Sequence, residues 1–532
     1  MNKLISLIVN RWSLVIIVII IAAFFRLYNI TDLPPGLYPD EAIYANNGVE
    51  AWETGNFKIF YPENNGREGL WPNIIGFFIV KFGHEPWVPR SVAAIFGILT
   101  VLGVYFLTKE LFKRPAIALF SSFFLAVSFW HILFSRIGFR AIMAPFFLVW
   151  GIYFLLSALN KIQNLSNLKF IIPAILGGVF YGFGFHSYIA YRATPLLILI
   201  IFILYWKTLK KSIIPVQLTA PTDLKKRFIL IMLLFLLFSF IIALPLGIYF
   251  LKNPQDFLGR TSQISIFNSP TPIKDLSINV FKTAAMFNFS GDFNWRHNYA
   301  GKPLLFWPIG VLFLIGVFLT IKTLIKVFNK TNNLSAQSTT PASVFFILIS
   351  WLIITALPVV ISNEGQPHAL RAILMTPAIF ILAGFGGARF YNFIKNLILK
   401  IGAVDCTNSV SNQKIQIKIL NTFIAVLLIL LIFEAYNSYF IKWGQNSNVQ
   451  GAFSADYVKM GRQLNNLPKE TPKYVIVEAG GTDVRGIPMP AQTIMFITDT
   501  FTPEKQKGKN IYYILPEQKN QIPENGYAII LK

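Results

Sequence analysis

Apolar runs long enough to cross a bilayer alternate along most of the chain with short polar stretches. A helix needs about 20 apolar residues to cover the hydrocarbon core. Runs of that kind start near Trp12, Trp87, Pro115, Ala141, Phe170, Ala193, Phe228, Pro303, Pro341, Ala372 and Ile419. The pattern predicts an all-α polytopic membrane protein of about eleven spans. The first run is too long, and too poor in small residues after it, for a cleaved signal peptide, so it reads as an anchor.

Two polar stretches are long, residues 29–86 and 251–302. Within the first, the apolar piece Ile74–Phe82 is too short to span and reads as a helix lying along the interface, with Trp71 as its anchor. Residues 1–444 form the expected membrane module. Residues 445–532 lose the long apolar runs and gain strand-like pieces at Tyr474–Glu478, Thr493–Ile497 and Ile511–Leu515, which predicts a small soluble α/β domain. The Asn/Ser/Thr-rich stretch Asn329–Thr340 reads as a linker.

Composition agrees with the pattern: 54% hydrophobic, 15% aromatic and only 13% charged, where soluble domains carry about 25% charged residues. A net charge of +23 raises the question of nucleic acid, but Lys and Arg form no single basic face and are spread between apolar runs. They sort instead by loop. With the N-terminus inside, inner segments hold Lys3, Arg11, Lys109, Lys113, Arg114, Lys161, Lys169, Lys207, Lys225, Lys226, Arg227, Lys322 and Lys326, and almost no acid. This positive-inside pattern puts the N-terminus in the cytoplasm and residues 29–86, 251–302 and the C-terminal segment on the extracytoplasmic side. The lone cysteine, Cys406, excludes a disulfide framework and a thiolate metal cluster.

The acids and the chemistry-bearing motifs gather on that outer side. Leu33-Pro34-Pro35-Gly36-Leu37-Tyr38-Pro39-Asp40-Glu41 ends where a helix can begin. Asp40 and Glu41 there complement a helix N-terminus; a carboxylate held near the membrane surface also suits a general base. Asn64-Asn65-Gly66-Arg67-Glu68-Gly69 follows, with Arg67 either at headgroup level for a lipid phosphate or simply snorkelling. Arg136 and Arg140 lie between the third and fourth runs, and His186, Tyr188 and Arg192 between the fifth and sixth. Glu364, His368 and Arg371 lie between the ninth and tenth. Several arginines on the side where the topology rule disfavours them call for an anionic partner. Asp292, Asn294, Trp295, Arg296 and His297 form a compact polar-aromatic segment suited to sugar hydroxyls, and equally common in plain loops.

Asp40-Glu41, the Arg67–Trp71 segment and the run Phe82-Gly83, Pro89-Arg90 and Thr108-Lys109-Glu110-Leu111-Phe112 resemble the GT-C superfamily of membrane glycosyltransferases. Within it they are most similar to the protein mannosyltransferase and aminoarabinose transferase type, family 39 and its bacterial relatives. The resemblance covers roughly the first two hundred residues. It implies a sugar donor carried on polyprenyl phosphate, an inverting transfer outside the cytoplasm, and an acceptor that is a protein, a glycolipid or a cell-wall polymer. Asp40 would be the catalytic carboxylate with Glu41 beside it, and Arg67 would hold the donor phosphate, helped by Arg192 and Arg371. The family's Lys-Pro-Pro-Leu-like stretch reads Arg-Glu-Gly-Leu here, and the acid that often follows Ser-Arg in the next loop is absent from Ser135–Ala141. That shifts a second carboxylate's work to Glu68, Asp292 or Glu364. The Trp-Trp-Asp signature of oligosaccharyltransferases is absent from the C-terminal segment. A divalent cation at Asp40 and Glu41 is compatible with this chemistry, although no ligand set singles one out.

Two other classes compete. A transporter or flippase needs ionisable groups inside its spans, whereas here Arg26 and Glu434 lie only at span ends. A scaffold that binds sugar or lipid without catalysis is the other, and the intact Asp40-Glu41 pair counts against it.

Overall fold

The computed structural model describes residues 11–162, 168–211, 221–329, 341–404 and 410–532. The expected linker after Asn329 lies outside them. Among the described residues, eight helices are long and apolar enough to cross a membrane, from Trp87–Phe112 to Gln413–Trp443. Three further expected spans fall on shorter apolar helices, Trp12–Leu27, Pro115–Ala126 and Ile171–Gly184. At about 1.5 Å per residue, twelve residues rise only ~18 Å, so Pro115–Ala126 cannot cover a bilayer as one straight helix. Helix Trp87–Phe112 packs on Arg11–Leu27, Pro115–Ala126 and Met143–Asn160, and Thr376–Val404 packs on Pro115–Ala126 and Trp307–Asn329. Burial follows position: Ile373–Lys400 is almost wholly enclosed, whereas Gln413–Trp443 turns most of its surface outward.

The first long loop is folded. Its helix Pro39–Thr54 starts with proline in the first turn and with Asp40 and Glu41 where the free amides are, as the sequence suggests. A short antiparallel pair follows, Phe60–Tyr61 against Arg67–Glu68 with Tyr61 opposite Arg67, and then helix Leu70–Phe82. The two helices cross at Gly48 and Gly76, where a Cβ on Gly48 would lie 2.2 Å from the Pro72 carbonyl oxygen. This close crossing overturns the interfacial-anchor reading of Trp71. Its ring is fully buried, and its Nε1 donates to Gly138 O at 2.9 Å.

The C-terminal segment carries a three-stranded parallel sheet, with Lys473–Val477 between Ile511–Ile514 and Tyr527–Leu531. The expected strand at Thr493–Ile497 is instead part of helix Gln492–Thr498. Its β-branched residues point to strand, but every residue of the segment is buried, with helices on two sides: Pro39–Thr54 and Ala455–Asn466. Burial all round rewards a helix as well as it rewards a strand. Thr493 Oγ1 donates to Leu37 O at 2.9 Å, and Asn46 Nδ2 donates to Gln492 O at 3.1 Å. The C-terminal segment therefore sits directly on the first loop.

Charge reinforces this seat. Arg485 grips Glu50 with both terminal nitrogens, at 2.9 and 2.7 Å, and Glu63 with Nε at 3.1 Å. Lys505 bridges Glu53 and Asp499, and His84 reaches Asp499 at 3.2 Å. Burial alone would raise the Glu63 and Asp499 carboxyls, but their cationic partners outweigh it and hold both below the ordinary carboxylate range. A depressed carboxyl contributes stability above its unfolded value, about 4, and that contribution disappears as pH falls through the folded value. Acidification below about pH 4 is therefore expected to loosen the C-terminal segment before the membrane helices melt. Limited proteolysis between neutral and strongly acidic pH checks this: cleavage within residues 480–532 should rise first.

Candidate functional site

At one end of the helices, an open polar cavity of about 620 Å³ is walled by six separate parts of the chain. The first loop supplies Tyr38, Asp40, Tyr44 and the Asn64–Gly66 turn; the later loops supply Arg140, Tyr188, Glu364, His368 and Arg371; the C-terminal segment supplies Tyr457 and the Gly480–Thr482 and Met489–Pro490 stretches. Of the residues read from the sequence, Asp40, Arg140, Tyr188, Glu364, His368 and Arg371 meet here. Asp40 is half-buried, and its Oδ1 accepts from Asn64 Nδ2 at 2.8 Å. Asn64 and Asn65 hold positive φ ahead of Gly66, a turn that aims the Asn64 amide at the carboxylate.

Glu41 does not join Asp40. One residue on around the helix, it is fully buried, bonded to Arg90 through Nε at 3.0 Å and Nη2 at 3.1 Å. It also accepts from the Gly138 and Tyr38 amides at 2.8 and 3.2 Å. Arg90 extends the network to Pro34 O and Gly36 O. The pair fastens the entry turn to the third-to-fourth-run loop and offers no oxygen to a cation beside Asp40. The sequence reading of Glu41 as Asp40's catalytic neighbour, and of the two as a metal pair, does not match this arrangement.

The arginines also divide. Arg67 is buried beneath Tyr44, with the ring centroid 5.4 Å away, and bonds Asn47 Oδ1 and Glu63 O. Burial lowers its guanidinium to about 10 while Tyr44 and Glu63 pull the other way, so it stays charged at neutral pH. Arg136 is enclosed by the carbonyls of Phe25, Asn29 and Leu33 and by Tyr439 Oη. Neither lines the cavity. Arg140 does; its Nε lies 3.0 Å from Glu68 Oε2, and its Nη1 donates to Tyr44 Oη at 3.1 Å. Glu68 is buried and also faces Arg192 Nη2 at 3.9 Å. Glu68 thus orients two arginines from behind. Arg371 binds Glu364 at 2.7 Å.

Beside the polar cavity lies a second one of about 370 Å³, mostly apolar, lined by residues such as Ala190, Phe257, Leu258, Leu357 and Ile361. Tyr188, Ile189, Ile264 and Arg371 line both, and Arg192 lines the apolar one with its guanidinium 4.4 Å from the Phe257 ring centroid. A polar chamber with a carboxylate thus lies against a hydrophobic groove, with Arg371 on the wall they share.

The remaining expected residues surround this centre. His186 Nε2 donates to Ile242 O at 2.8 Å, and burial lowers the ring's pKa. Asp292 accepts from the Asn294 and Ala369 amides at 2.8 and 2.9 Å and faces His297 Nδ1 at 3.2 Å. Asn294 caps the Arg296 amide, and the Trp295 carbonyl accepts from Trp443. Arg296 lies over the Tyr38 ring at 3.8 Å. Asp292, His297 and His368 bring donor atoms within 4.8 Å of one another, the only such three-residue cluster among the described residues that could hold a cation. Sequence reasoning missed Tyr44, the Asn64–Asn65 turn as a wall, and the Gly480–Thr482 stretch. The Asn-Asn-Gly tripeptide was a readable turn signal; the C-terminal wall had none.

Comparisons with known proteins agree with this picture. Residues 70–220 match the family described as dolichyl-phosphate-mannose-protein mannosyltransferase. No curated protein matches the chain as a whole sequence. Among solved structures, the archaeal oligosaccharyltransferase AglB from Archaeoglobus fulgidus, in complex with an inhibitory peptide and a dolichol-phosphate, aligns with TM-score 0.54 and 14% identity. That alignment covers 92% of this chain, which spans only 63% of the relative's length. ArnT from Cupriavidus metallidurans, bound to undecaprenyl phosphate, aligns with TM-score 0.52 and 14% identity over 97% of this chain and 92% of the other. At such identity the likeness shows the fold. The matched segment covers residues 70–220, the chain as a whole shares the fold of these membrane transferases, and its apolar helices are those of a multi-pass membrane protein.

Proposed function

We propose that the protein is an inverting glycosyltransferase that moves a sugar from a polyprenyl-phosphate donor to an extracytoplasmic acceptor, a protein, a glycolipid or a cell-wall polymer. The observation that carries this reading is the adjacent pair of cavities, one polar around Asp40 and one apolar, with Arg371 lining both. An isoprenoid tail suits the apolar groove, and its phosphate would then lie at the shared wall within reach of Arg140, Arg192 and Arg371. The solved structures named above contain dolichol-phosphate and undecaprenyl phosphate, ligands of the same build.

In this reading the acceptor's O–H or N–H faces Asp40. As the acceptor lone pair attacks the anomeric carbon, Asp40 takes the proton. The bond from that carbon to the phosphate oxygen breaks, its electron pair goes to the phosphate, and polyprenyl phosphate leaves. A single displacement inverts the centre. The arginines stabilise the charge that grows on the leaving phosphate. Asn64 fixes the carboxylate, and Glu68 fixes Arg140. Asp40 therefore acts as the base, while Glu41 builds the loop that presents it. The Asp292–His297–His368 cluster bounds the site and enters no step.

Arg371→Met is expected to weaken binding of polyprenyl phosphate about 10- to 100-fold, the worth of one charge-assisted hydrogen-bonding group. Equilibrium binding of a short-chain fluorescent polyprenyl phosphate to the purified protein measures it. Unchanged affinity would move the phosphate away from the shared wall and count against this reading.

A further inference from the structure

Away from the proposed site, a separate cavity of about 250 Å³ opens between the segment Lys302–Trp307 and the last long helix. Its walls are largely apolar, with Phe380 and Leu431 inside, and Trp307 beside it is 71% exposed. An exposed tryptophan at the head of a span marks the level of the lipid headgroups. Ser128, Asn298, Tyr299 and Ser438 break the apolar lining, and Lys302 and Glu434 are its two charged residues.

Their arrangement is unusual for a membrane surface. The Lys302 backbone is pinned, its amide donating to Tyr299 O at 2.9 Å and its carbonyl accepting from Asn298 at 2.6 Å. Its ammonium lies over the Tyr299 ring, 3.9 Å from the centroid. Partial burial and the neighbouring Lys442 both weaken its hold on a proton, and Glu434 acts the other way. Among the described residues, neither lysine forms an ion pair and Glu434 reaches no cation; its Oε1 accepts only from Ser438 at 2.5 Å. The helix carrying Glu434 passes from α, Val410–Tyr436, to π, Asn437–Trp443. Such widened turns are frequent at functional sites. Lone lysines at this depth need no explanation, since they snorkel to headgroups. Glu434, near the end of its α-helix, has no cationic partner among the described residues to account for it.

One ammonium and one carboxylate on the same largely apolar cavity, beside the exposed Trp307, complement a ligand with a phosphate, a nearby primary amine and an acyl body. We propose that this cavity binds the headgroup of an amine-bearing glycerophospholipid of the bilayer, its phosphate held by Lys302 and its ammonium by Glu434. The volume admits the headgroup, while the acyl chains run along Trp307 and Leu431. A quaternary ammonium headgroup has no N–H to give Glu434, and a glycerol headgroup has no charge for it. The site thereby discriminates among phospholipids, and it does so independently of the sugar-transfer reading.

The test titrates the full-length, delipidated protein with phosphatidylethanolamine, phosphatidylcholine and phosphatidylglycerol, using native mass spectrometry. The wild type is expected to prefer phosphatidylethanolamine about ten-fold, the worth of one charge-assisted hydrogen bond. Glu434→Gln should erase that preference, and Lys302→Gln should weaken phosphatidylethanolamine and phosphatidylglycerol alike. Equal binding of the three lipids by wild type, or a preference that survives Glu434→Gln, overturns the proposal. Should Glu434→Gln not fold, mono-, di- and trimethylated phosphatidylethanolamine titrated into wild type decide the matter. Affinity falling as N–H groups are lost supports the site, and a flat series refutes it.

Discussion

Asp40→Asn is expected to lower sugar transfer by about 10²- to 10⁴-fold, the usual worth of a positioned general base, with binding of the polyprenyl-phosphate donor unchanged. The substitution keeps the side chain's volume and removes its charge. Asn64, which donates to Asp40 Oδ1, can turn its amide to serve the new oxygen, so the wall survives. The carboxylate lies on an open cavity rather than in the buried network around Glu41, and its loss leaves no charge stranded. Single-turnover transfer alongside equilibrium donor binding separates the two quantities. Loss of donor binding in step with activity would make Asp40 a binding residue.

Glu41→Ala is expected to fail differently, by unfolding. It removes a carboxylate that is fully buried and that accepts four hydrogen bonds, two from Arg90 and one each from the Gly138 and Tyr38 amides. Taking one partner from a buried ion pair costs about 3–5 kcal/mol because the other charge stays behind. That is a large part of the 5–15 kcal/mol that holds a typical domain together. The stranded guanidinium would be Arg90, which also holds the Pro34 and Gly36 carbonyls, so the entry turn ahead of Asp40 would loosen with it. Thermal unfolding in detergent should show a drop of many degrees for Glu41→Ala and almost none for Asp40→Asn. Adjacent carboxylates would then be distinguished by what each variant loses, folding in one case and turnover in the other.

That contrast also shows where the sequence stops. The eight helices long and apolar enough to cross a membrane were legible because they depend on local hydrophobicity. The helix start at Asp40 and Glu41 was legible too, since proline and paired acids suit a first turn. Which of the two acids would face the cavity was not. That depends on a 100° step around the helix and on Arg90 arriving from another helix. Arg67, Arg136, Arg140, Arg192 and Arg371 looked equivalent along the chain; long-range packing buries the first two and leaves the others on the walls of the two cavities. Thr493–Ile497 misled because β-branched residues favour strands, while its buried seat on Pro39–Thr54 rewarded a helix. The partnership of Arg485 with Glu50 and Glu63 spans more than four hundred residues, and no local pattern announces it.

The most direct measurement is transfer of labelled sugar from a panel of polyprenyl-monophosphate donors to membrane acceptors by the purified protein in liposomes. Nucleotide sugars serve as the comparison. The account predicts label transfer from at least one lipid-linked donor, with inverted anomeric configuration in the product and none from nucleotide sugars. No transfer from any polyprenyl-phosphate sugar, or a product of retained configuration, would contradict it.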